Sequence, residues 1–299
     1  MHAPRYTNPV LPRRFGEPSV VRVDDGYLAV GTGSVVGGRL FEVLRSPDLV
    51  RWASVGGALE PLGPQAGSDY RAPELLRADG RWWLYYSVGH GDVGHRLRVA
   101  VADDAAGPYR DCGVDLAPDD EHAVDPHPFT DVDGLRYLFY ARDVRAGGRV
   151  ATCLAVVRLR TPTETAGTTV PVLAPAARFD GDTLEGPCVV RRDGRYHLLY
   201  SGGRREEPTY GVFCAVAEHP LGPWTARTPG LPILRAVPGH VVGPGHGTVL
   251  TTPDGLDVIA YHAWDAALTA RRLCVDLVRW TPDGPTVDGP TWWETSLGR

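Results

Sequence analysis

Five polar side chains recur in this sequence at one fixed distance from a repeated turn signal. The turn signal is an Asp-Gly pair, and in each copy the residue nine positions before the glycine is polar. The glycines are Gly26, Gly80, Gly134, Gly194 and Gly255, and the polar residues are Glu17, Arg71, Asp125, Glu185 and His246. Four of these five side chains can act as acids, bases or ligands. Each begins an otherwise apolar segment, so the set indicates one functional constellation.

Glu17, Asp125 and Glu185 are the members of this set that suit acid–base chemistry. Three carboxylates around one pocket fit the hydrolysis of a glycosidic bond, in which one acid protonates the leaving oxygen and one base activates water. The third carboxylate can tune the pKa of the acid through its charge and through hydrogen bonds. An acid and a base on opposite sides of the sugar, with water between the base and the reacting carbon, predict an inverting reaction.

The elements that must position these residues are five predicted β-hairpins. An Asp-Gly turn between two apolar runs is the strongest short-range hairpin signal, and here the glycines recur at intervals of 54, 54, 60 and 61 residues. This period, with almost no helical periodicity, predicts an all-β fold: a five-bladed β-propeller with four-stranded antiparallel blades. We expect residues 1–299 to form a single propeller domain whose blades start near residues 17, 71, 125, 185 and 246.

The first strand of each blade in a propeller lies nearest the central axis. The five polar residues are therefore expected to occupy equivalent positions and to converge at one end of the channel. The N-terminal and C-terminal strands are expected to pair within one blade and close the ring, because closure removes exposed sheet edges.

Composition excludes several classes of function. The net charge of −5 and the pI near 6.1 provide no basic surface for nucleic acid. The sequence has no apolar run of about 20 residues, so no membrane partner is expected. The N-terminal segment lacks the apolar core of a signal peptide, which predicts a cytoplasmic protein unless an export signal has been removed. Five scattered cysteines without metal-binding spacing favour reduced, buried thiols.

Over nearly its whole length the chain resembles glycoside hydrolase family 43, the five-bladed propeller arabinofuranosidases, xylosidases and arabinanases. The resemblance is carried by five segments in the family's order: NPVLP followed by GEPSVVRV, AVDPHPFTDVDG, LEGPCVVRRDGRYHLLYSGG, GPGHGTVLTTPDG, and ARRLCVDLVRW. It implies that Glu17 stands at the position of the general base, Asp125 at that of the pKa-modulating residue, and Glu185 at that of the general acid. It also implies that His246 lies on the axis and that Arg271 reaches the sugar.

Two positions depart from the family pattern. The base position holds Glu17 where the family has Asp, and one extra methylene shifts the carboxylate by roughly an ångström, a displacement that can cost about 10²-fold in rate. Arg71 stands where the family usually has Trp. Its guanidinium is expected either to pair internally, for example with Glu17, or to recognise an anionic group on the substrate.

Two further residues are candidates for the site. Glu74 and His127 follow the starts of blades two and three closely enough to contact substrate, together with Arg71, His246 and Arg271. No cofactor is expected to be required, and no zinc spacing is present. By resemblance, a structural Ca²⁺ on the propeller axis is expected near His246, bound chiefly through waters.

The leading hypothesis is an inverting glycoside hydrolase that removes a pentose, α-L-arabinofuranosyl or β-D-xylosyl, or a related sugar from an oligosaccharide or small glycoside. The substituted positions 17 and 71 leave two alternatives open, a phosphorylase or transferase and a sugar-binding propeller without hydrolytic activity. Loop shape decides the sugar, the linkage and the oligomeric state, so the sequence leaves them open.

Overall fold

A computed structural model of the chain describes residues 4–146, 149–174, 183–204, 207–227 and 231–298. These residues form strands, turns and loops with no α-helix, and thus with no helix that could cross a membrane. The five cysteines are free thiols, and four of them are buried.

The strands fall into five consecutive blades, with one short strand before them, β1 (Arg5–Tyr6), and one after them, β24 (Thr295–Ser296). Blade I contains β2 to β6: Gly16–Val23, Gly26–Thr32, Val35–Val36, Arg39–Ser46 and Ala53–Leu59. Blade II contains β7 to β10: Asp69–Ala78, Arg81–His90, Val93–Ala102 and Arg110–Asp111. Blade III contains β11 to β14: Ala123–Thr130, Arg136–Ala146, Arg149–Thr161 and Glu164–Leu173. Blade IV contains β15 to β19: Leu184–Arg192, Arg195–Gly202, Gly211–Ala217, Thr225–Ala226 and Leu234–Arg235. Blade V contains β20 to β23: Val242–Thr251, Asp257–Trp264, Arg271–Thr281 and Gly284–Val287.

Each blade is an antiparallel sheet whose strands are paired mainly in chain order, and blades I and IV carry one additional short strand each. The five-bladed propeller predicted from the turn spacing is confirmed. The Asp-Gly pairs lie at the predicted turns, although in blade I the turn is Asp24-Asp25 and Gly26 begins the next strand. At Asp79-Gly80 and Asp193-Gly194 both residues have positive φ, which is the type I′ geometry that matches the twist of the flanking strands.

The apolar side chains of the described residues form five clusters, one between each pair of neighbouring blades. The aromatic residues that follow the turns belong to them: Tyr86 packs between blades I and II, Tyr140 between blades II and III, and Phe139 and Tyr200 between blades III and IV. The core is therefore a ring of interfaces around the axis.

The two ends of the chain pair with each other, but not within a blade as expected. Arg5 pairs with Ser296 and Tyr6 with Thr295 in a separate two-stranded sheet. The reason is that blade V already has four strands of its own, so no place remains in it for a terminal strand. Buried Asp276 of blade V anchors both ends, since it accepts hydrogen bonds from the hydroxyls of Tyr6 (3.2 Å) and Thr291 (2.7 Å).

The innermost strand of every blade contains an irregularity at the same place. The pairing with the second strand shifts by a bulge, and the first residue of the bulge has positive φ. These equivalent residues are Glu17, Ala72, Asp125, Gly186 and His246. Arg71 and Glu185 lie one residue earlier, so the nine-residue spacing is out of register by one in blades II and IV.

A hydrogen bond from the backbone N–H of each of these residues crosses to the preceding blade. In four blades the acceptor is a side chain on the preceding blade's second strand. The pairs are Ala72 with Thr32 (2.9 Å), Asp125 with Ser87 (3.0 Å), His246 with Ser201 (2.7 Å) and Glu17 with His262 (3.2 Å). Blade III has Ala141 at the acceptor position, and there the N–H of Gly186 donates to Asp125 Oδ2 at 2.9 Å instead.

Ser201→Ala tests whether these bonds hold the blades together. It leaves the buried N–H of His246 without its acceptor, which is expected to lower the free energy of unfolding by about 1–3 kcal/mol. Urea unfolding would measure the loss against Ser54→Ala, the same substitution at an exposed position of β6. Equal effects of the two substitutions would contradict the proposed contribution of the bond.

Candidate active site

Glu17 is a buried carboxylate that contacts three blades. Its Oε1 accepts a hydrogen bond from Arg271 Nη1 of blade V at 2.6 Å. Its Oε2 accepts from the Thr32 hydroxyl of its own blade and from the N–H of Ala72 in blade II, at 3.0 Å. Glu17 therefore joins blades V, I and II at the axis.

The surroundings of Glu17 stabilise its charged form. Burial alone would raise the pKa of this carboxyl, but the Arg271 guanidinium, nearby His246 and the Thr32 hydroxyl outweigh burial and hold the pKa well below its usual range. Glu17 is consequently ionised at neutral pH and can accept a proton.

Gly16 makes room for the ion pair. A Cβ on residue 16 would lie 2.9 Å from Nε of Arg271, so any side chain there would displace the guanidinium. Arg271 also lies over the ring of Trp264, with its central carbon 5.7 Å from the ring centroid. The structure places Arg271 against Glu17 and in the lining of a cavity, and its contact with the sugar stays a prediction.

Asp125 lies on the axis between blades III, IV and V. Its Oδ2 accepts the N–H of Gly186, the residue after Glu185, and lies 3.6 Å from Nδ1 of His246. A Cβ on residue 186 would lie 2.9 Å from the His246 ring, so the glycine lets the imidazole approach. Asp125 and His246 thus meet one residue away from Glu185.

Glu185 is buried and accepts a hydrogen bond at Oε1 from the hydroxyl of Tyr210, at 2.7 Å. The Tyr210 ring packs against Gly245, where it leaves no room for a Cβ, and stacks on His262 with ring centroids 6.5 Å apart. His262 is itself buried and lies 6.3 Å from the ring of His246. Glu185 therefore lies next to a row of three neighbouring rings, those of Tyr210, His262 and His246.

Tyr210 and His262 were not among the predicted site residues. His262 had a signal, since it lies seven positions after its turn glycine, as Ser87 and Ser201 do after theirs. Tyr210 precedes the third strand of its blade and follows no repeated spacing, so the sequence gives no comparable signal for it.

Arg71 lies beside a cavity of about 460 Å³ between blades I, II and V. Its Nη2 contacts Asp69 at 2.5 Å and Asp92 at 2.8 Å, whereas the ion-pair partner of Glu17 is Arg271. Burial opposes the charge on Arg71, but Asp69 and Asp92 raise its pKa, so the guanidinium stays charged. Of the two expected roles, the structure shows the internal pairing, with partners other than Glu17.

The same cavity is lined by Thr32 and Arg271, the two side chains that hold Glu17. None of the three carboxylates, Glu17, Asp125 and Glu185, lines it directly. The cavity therefore opens beside the side chains that hold the predicted base.

Glu74 and His127 lie in a second set of contacts that joins the blades. Glu74 Oε2 accepts the hydroxyl of Ser19 at 2.8 Å, and its Oε1 lies 3.6 Å from His127 Nδ1. His127 Nε2 accepts the N–H of Val189 at 3.0 Å. Around the same ring, Thr248 donates to the carbonyl of Pro18 at 2.7 Å. The structure therefore gives both predicted substrate contacts a role in joining blades.

The calcium ion expected near His246 would need oxygen ligands around the axis. Within the described ranges, no group of three or more His, Cys, Asp or Glu side chains is arranged to hold a metal ion. Ca²⁺ takes six to eight oxygen ligands, whereas the carboxylate next to His246 already accepts a backbone N–H. The side chains alone do not form a calcium cage, so an ion bound chiefly through waters stays a prediction.

Comparison with known proteins identifies the family. The sequence model described as Glycosyl hydrolases family 43 matches residues 6–286. The chain belongs to glycoside hydrolase family 43. The crystal structure of a thermostable family-43 glycoside hydrolase matches it with a TM-score of 0.85 at 29% identity, covering 96% of this chain and 97% of that one.

Three curated relatives are also similar to this family 43 chain. It is 29% identical over 267 residues to a xylan 1,3-beta-xylosidase of Vibrio sp, covering 83% of this chain and 48% of that protein. It is 27% identical over 290 residues to the beta-D-galactofuranosidase xynD of Aspergillus niger, covering 90% of this chain and 80% of that protein. It is 24% identical over 323 residues to an extracellular exo-alpha-(1->5)-L-arabinofuranosidase of Streptomyces avermitilis, covering 96% of this chain and 65% of that protein. The chain thus spans about half the length of the first relative.

The ion pair at the centre of this family 43 site can be tested through stability. Arg271→Met leaves the Glu17 charge buried without its partner and is expected to cost about 3 kcal/mol of unfolding free energy. The double variant Glu17→Gln/Arg271→Met removes the charge as well and is expected to lose less than Arg271→Met alone.

Chemical unfolding would measure both variants beside Arg81→Met, which breaks an exposed pair with Asp103 and is expected to cost under about 1 kcal/mol. If the double variant is less stable than Arg271→Met, the pair is not the source of the cost.

Proposed function

We propose that the chain is an inverting glycoside hydrolase that removes a terminal pentose, α-L-arabinofuranosyl or β-D-xylosyl, or a related sugar. Glu185 acts as the general acid, Glu17 as the general base and Asp125 as the modulator of the acid. The observation that carries the proposal is the placement of the three buried carboxylates: Glu17 is ionised against the Arg271 guanidinium, and Asp125 accepts the N–H of the residue that follows Glu185. A carboxylate beside the acid can tune the pKa of that acid, and the ionised carboxylate can act as the base.

The base step uses the ionised Glu17. Two side chains that hold its carboxylate, Thr32 and Arg271, line the cavity, and its lowered pKa ensures that it is deprotonated before a water molecule arrives. Water held by Glu17 loses a proton to it while the water oxygen attacks the anomeric carbon from the side opposite the leaving group. That geometry inverts the configuration in a single displacement.

The acid step uses Glu185. The proton leaves its carboxyl for the glycosidic oxygen as the bond to the anomeric carbon breaks. Asp125 supports this role, because its carboxylate lies against the peptide N–H of Gly186 and a nearby negative charge disfavours a second one on Glu185. His246 and the Gly186 N–H hold Asp125 in place.

The sugar class is supported by the relatives. Their names describe a xylosidase, a galactofuranosidase and an arabinofuranosidase, all of which release small sugars from glycosides. A cavity of about 460 Å³ falls in the range of small-ligand sites. The phosphorylase and sugar-binding alternatives receive no support from these relatives.

Substrates with different leaving groups can distinguish the acid Glu185 from the base Glu17, because only the acid protonates the leaving group. On nitrophenyl α-L-arabinofuranoside, β-D-xyloside, β-D-galactoside and β-D-galactofuranoside, Glu185→Gln is expected to lower kcat/KM of the active substrate by about 10²–10⁴-fold. A dinitrophenyl glycoside needs less help from an acid, so Glu185→Gln should lose less on it, whereas Glu17→Gln should lose equally on both.

The control is Glu60→Gln at an exposed position, which should leave kcat/KM unchanged. Proton NMR of the first product would show the inverted anomer. Full turnover in Glu185→Gln, or a product of retained configuration, would refute the assignment.

The low pKa of Glu17 predicts a particular pH dependence. Since the base must be ionised, the acidic limb of kcat/KM should lie below about pH 4.3, the ordinary value for glutamate. Arg271→Met removes the largest lowering influence and leaves burial, which raises the pKa, so the limb should move to higher pH.

Arg272→Met is the matched control, because this neighbouring arginine pairs with Asp265 and not with Glu17. Profiles of kcat/KM from pH 3 to 8 would compare the variants. An acidic limb that stays in place in Arg271→Met would show that Glu17 is not the group that titrates there.

A further inference from the structure

Two neighbouring tryptophans are exposed on the side of blade V. Among the described residues the large exposed hydrophobic side chains are aliphatic except for Trp292 and Trp293, which are 37% and 50% exposed. Trp292 stacks on His240 with ring centroids 4.4 Å apart and planes at 14°, and Trp293 meets Trp292 edge to face at 4.6 Å. We call these three rings, His240, Trp292 and Trp293, the tryptophan platform.

Hydrogen bonds of the neighbouring residue Thr291 hold the platform in place. Thr291, the residue before Trp292, donates both its hydroxyl (2.7 Å) and its backbone N–H (3.2 Å) to buried Asp276. Asn8 from the other end of the chain contacts the same hydroxyl at 3.0 Å. The exposed indoles therefore stand on an anchored segment, which lowers the entropic cost of binding a ligand against them.

A cavity of about 170 Å³ adjoins the platform and combines apolar and polar walls. Trp292 and His240 line it, and Asp265, Arg272 and Asn8 supply hydrogen-bonding groups. A few placed polar groups among aromatic rings are typical of small-ligand sites, in which the rings give contact and the polar groups give orientation.

The platform's cavity and the cavity beside Glu17 share one wall. Trp264 lines both, and the guanidinium of Arg271 lies over its ring at 5.7 Å. Leu268, 43% exposed, lies on the turn of residues 265–270 between them. A chain-like ligand that leaves the catalytic cavity over this turn would reach the platform.

We propose that the tryptophan platform is a second carbohydrate-binding site, which binds sugar units of the same glycan at a distance from the bond that is cleaved. Sugar rings have apolar C–H faces and hydroxyl-bearing edges. The faces fit the flat indoles, and the edges fit the polar groups of the adjoining cavity. Binding at the platform raises the effective concentration of a long substrate at the catalytic cavity and adds nothing for a monosaccharide glycoside.

The size of the platform argues against a second copy of the chain as its occupant. Two partly exposed indoles offer roughly 200 Å² of apolar surface, whereas a stable protein interface buries well over about 1,000 Å². A sugar unit needs no more than the platform provides.

Binding can be measured without catalysis in a Glu185→Gln background. Native electrophoresis through gels that contain linear arabinan or xylan should retard this protein in at least one of them. Adding Trp293→Ala, or separately Trp292→Ala, should weaken the retardation by about 3- to 10-fold in apparent Kd. Val132→Ala, an exposed apolar residue on blade III, should leave it unchanged.

Kinetics of the otherwise native chain give the second readout. Trp293→Ala should raise KM for the retarding polysaccharide by a similar factor and leave kcat/KM for the aryl glycoside unchanged. Absence of retardation by both polysaccharides, or equal retardation with and without the two tryptophans, would overturn the proposal. A chain inactive on every aryl glycoside would count against the proposed function alone, because the gels report binding independently of activity.

Discussion

The structure depends on a hydrogen bond repeated five times: the backbone N–H of a residue in the left-handed region donates to the blade before it. A non-glycine residue with φ near 50° costs about 1–2 kcal/mol, and Glu17, Ala72, Asp125 and His246 all adopt such values. The bulge that imposes this conformation turns the N–H out of its own sheet, where no ladder partner remains. Because the preceding blade supplies the acceptor, strain in one blade is offset by a contact with the next, and the five blades become interdependent around the axis.

One of these five hydrogen bonds differs from the others, and it explains how Asp125, the predicted modulator, is held in place. Blade III lacks a polar side chain at the acceptor position, since Ala141 stands where Ser87 and Ser201 stand in blades II and IV. The carboxylate of Asp125 takes over and accepts the N–H of Gly186. One carboxylate thus serves both the architecture and the site. Its orientation is fixed by the contact that joins blades III and IV and by His246 of blade V, which lies 3.6 Å from the same oxygen.

Much of this could be predicted from the sequence, and what could not has a physical cause. Asp-Gly turns and apolar runs are local, so the five hairpins and the convergence of Glu17, Asp125, Glu185 and His246 followed from counting. The one-residue shift at Arg71 and Glu185 did not, because the turns differ. The Asp-Gly pair is the whole two-residue turn in blades II and IV, whereas the glycine of blade I already pairs in the next strand and the turns of blades III and V span five residues. The pairing of Glu17 with Arg271 crosses 254 positions, and Tyr210 lies outside the repeated strands. Contacts of this kind depend on how blades face each other, which no local pattern records.

The contacts of the longer side chain at position 17 are part of the same set of hydrogen bonds between the blades. Its Oε2 reaches the N–H of Ala72, the bond donor of blade II, while Thr32 accepts from the same N–H and donates to the carboxylate. Its Oε1 meets Arg271 from blade V. Glutamate at this position therefore touches the blades on both sides of its own. These three contacts fix the carboxylate from separate directions, and a base held in this way keeps its geometry although it carries an extra rotatable bond. The surrounding blades, more than the length of the side chain, determine where the charge lies.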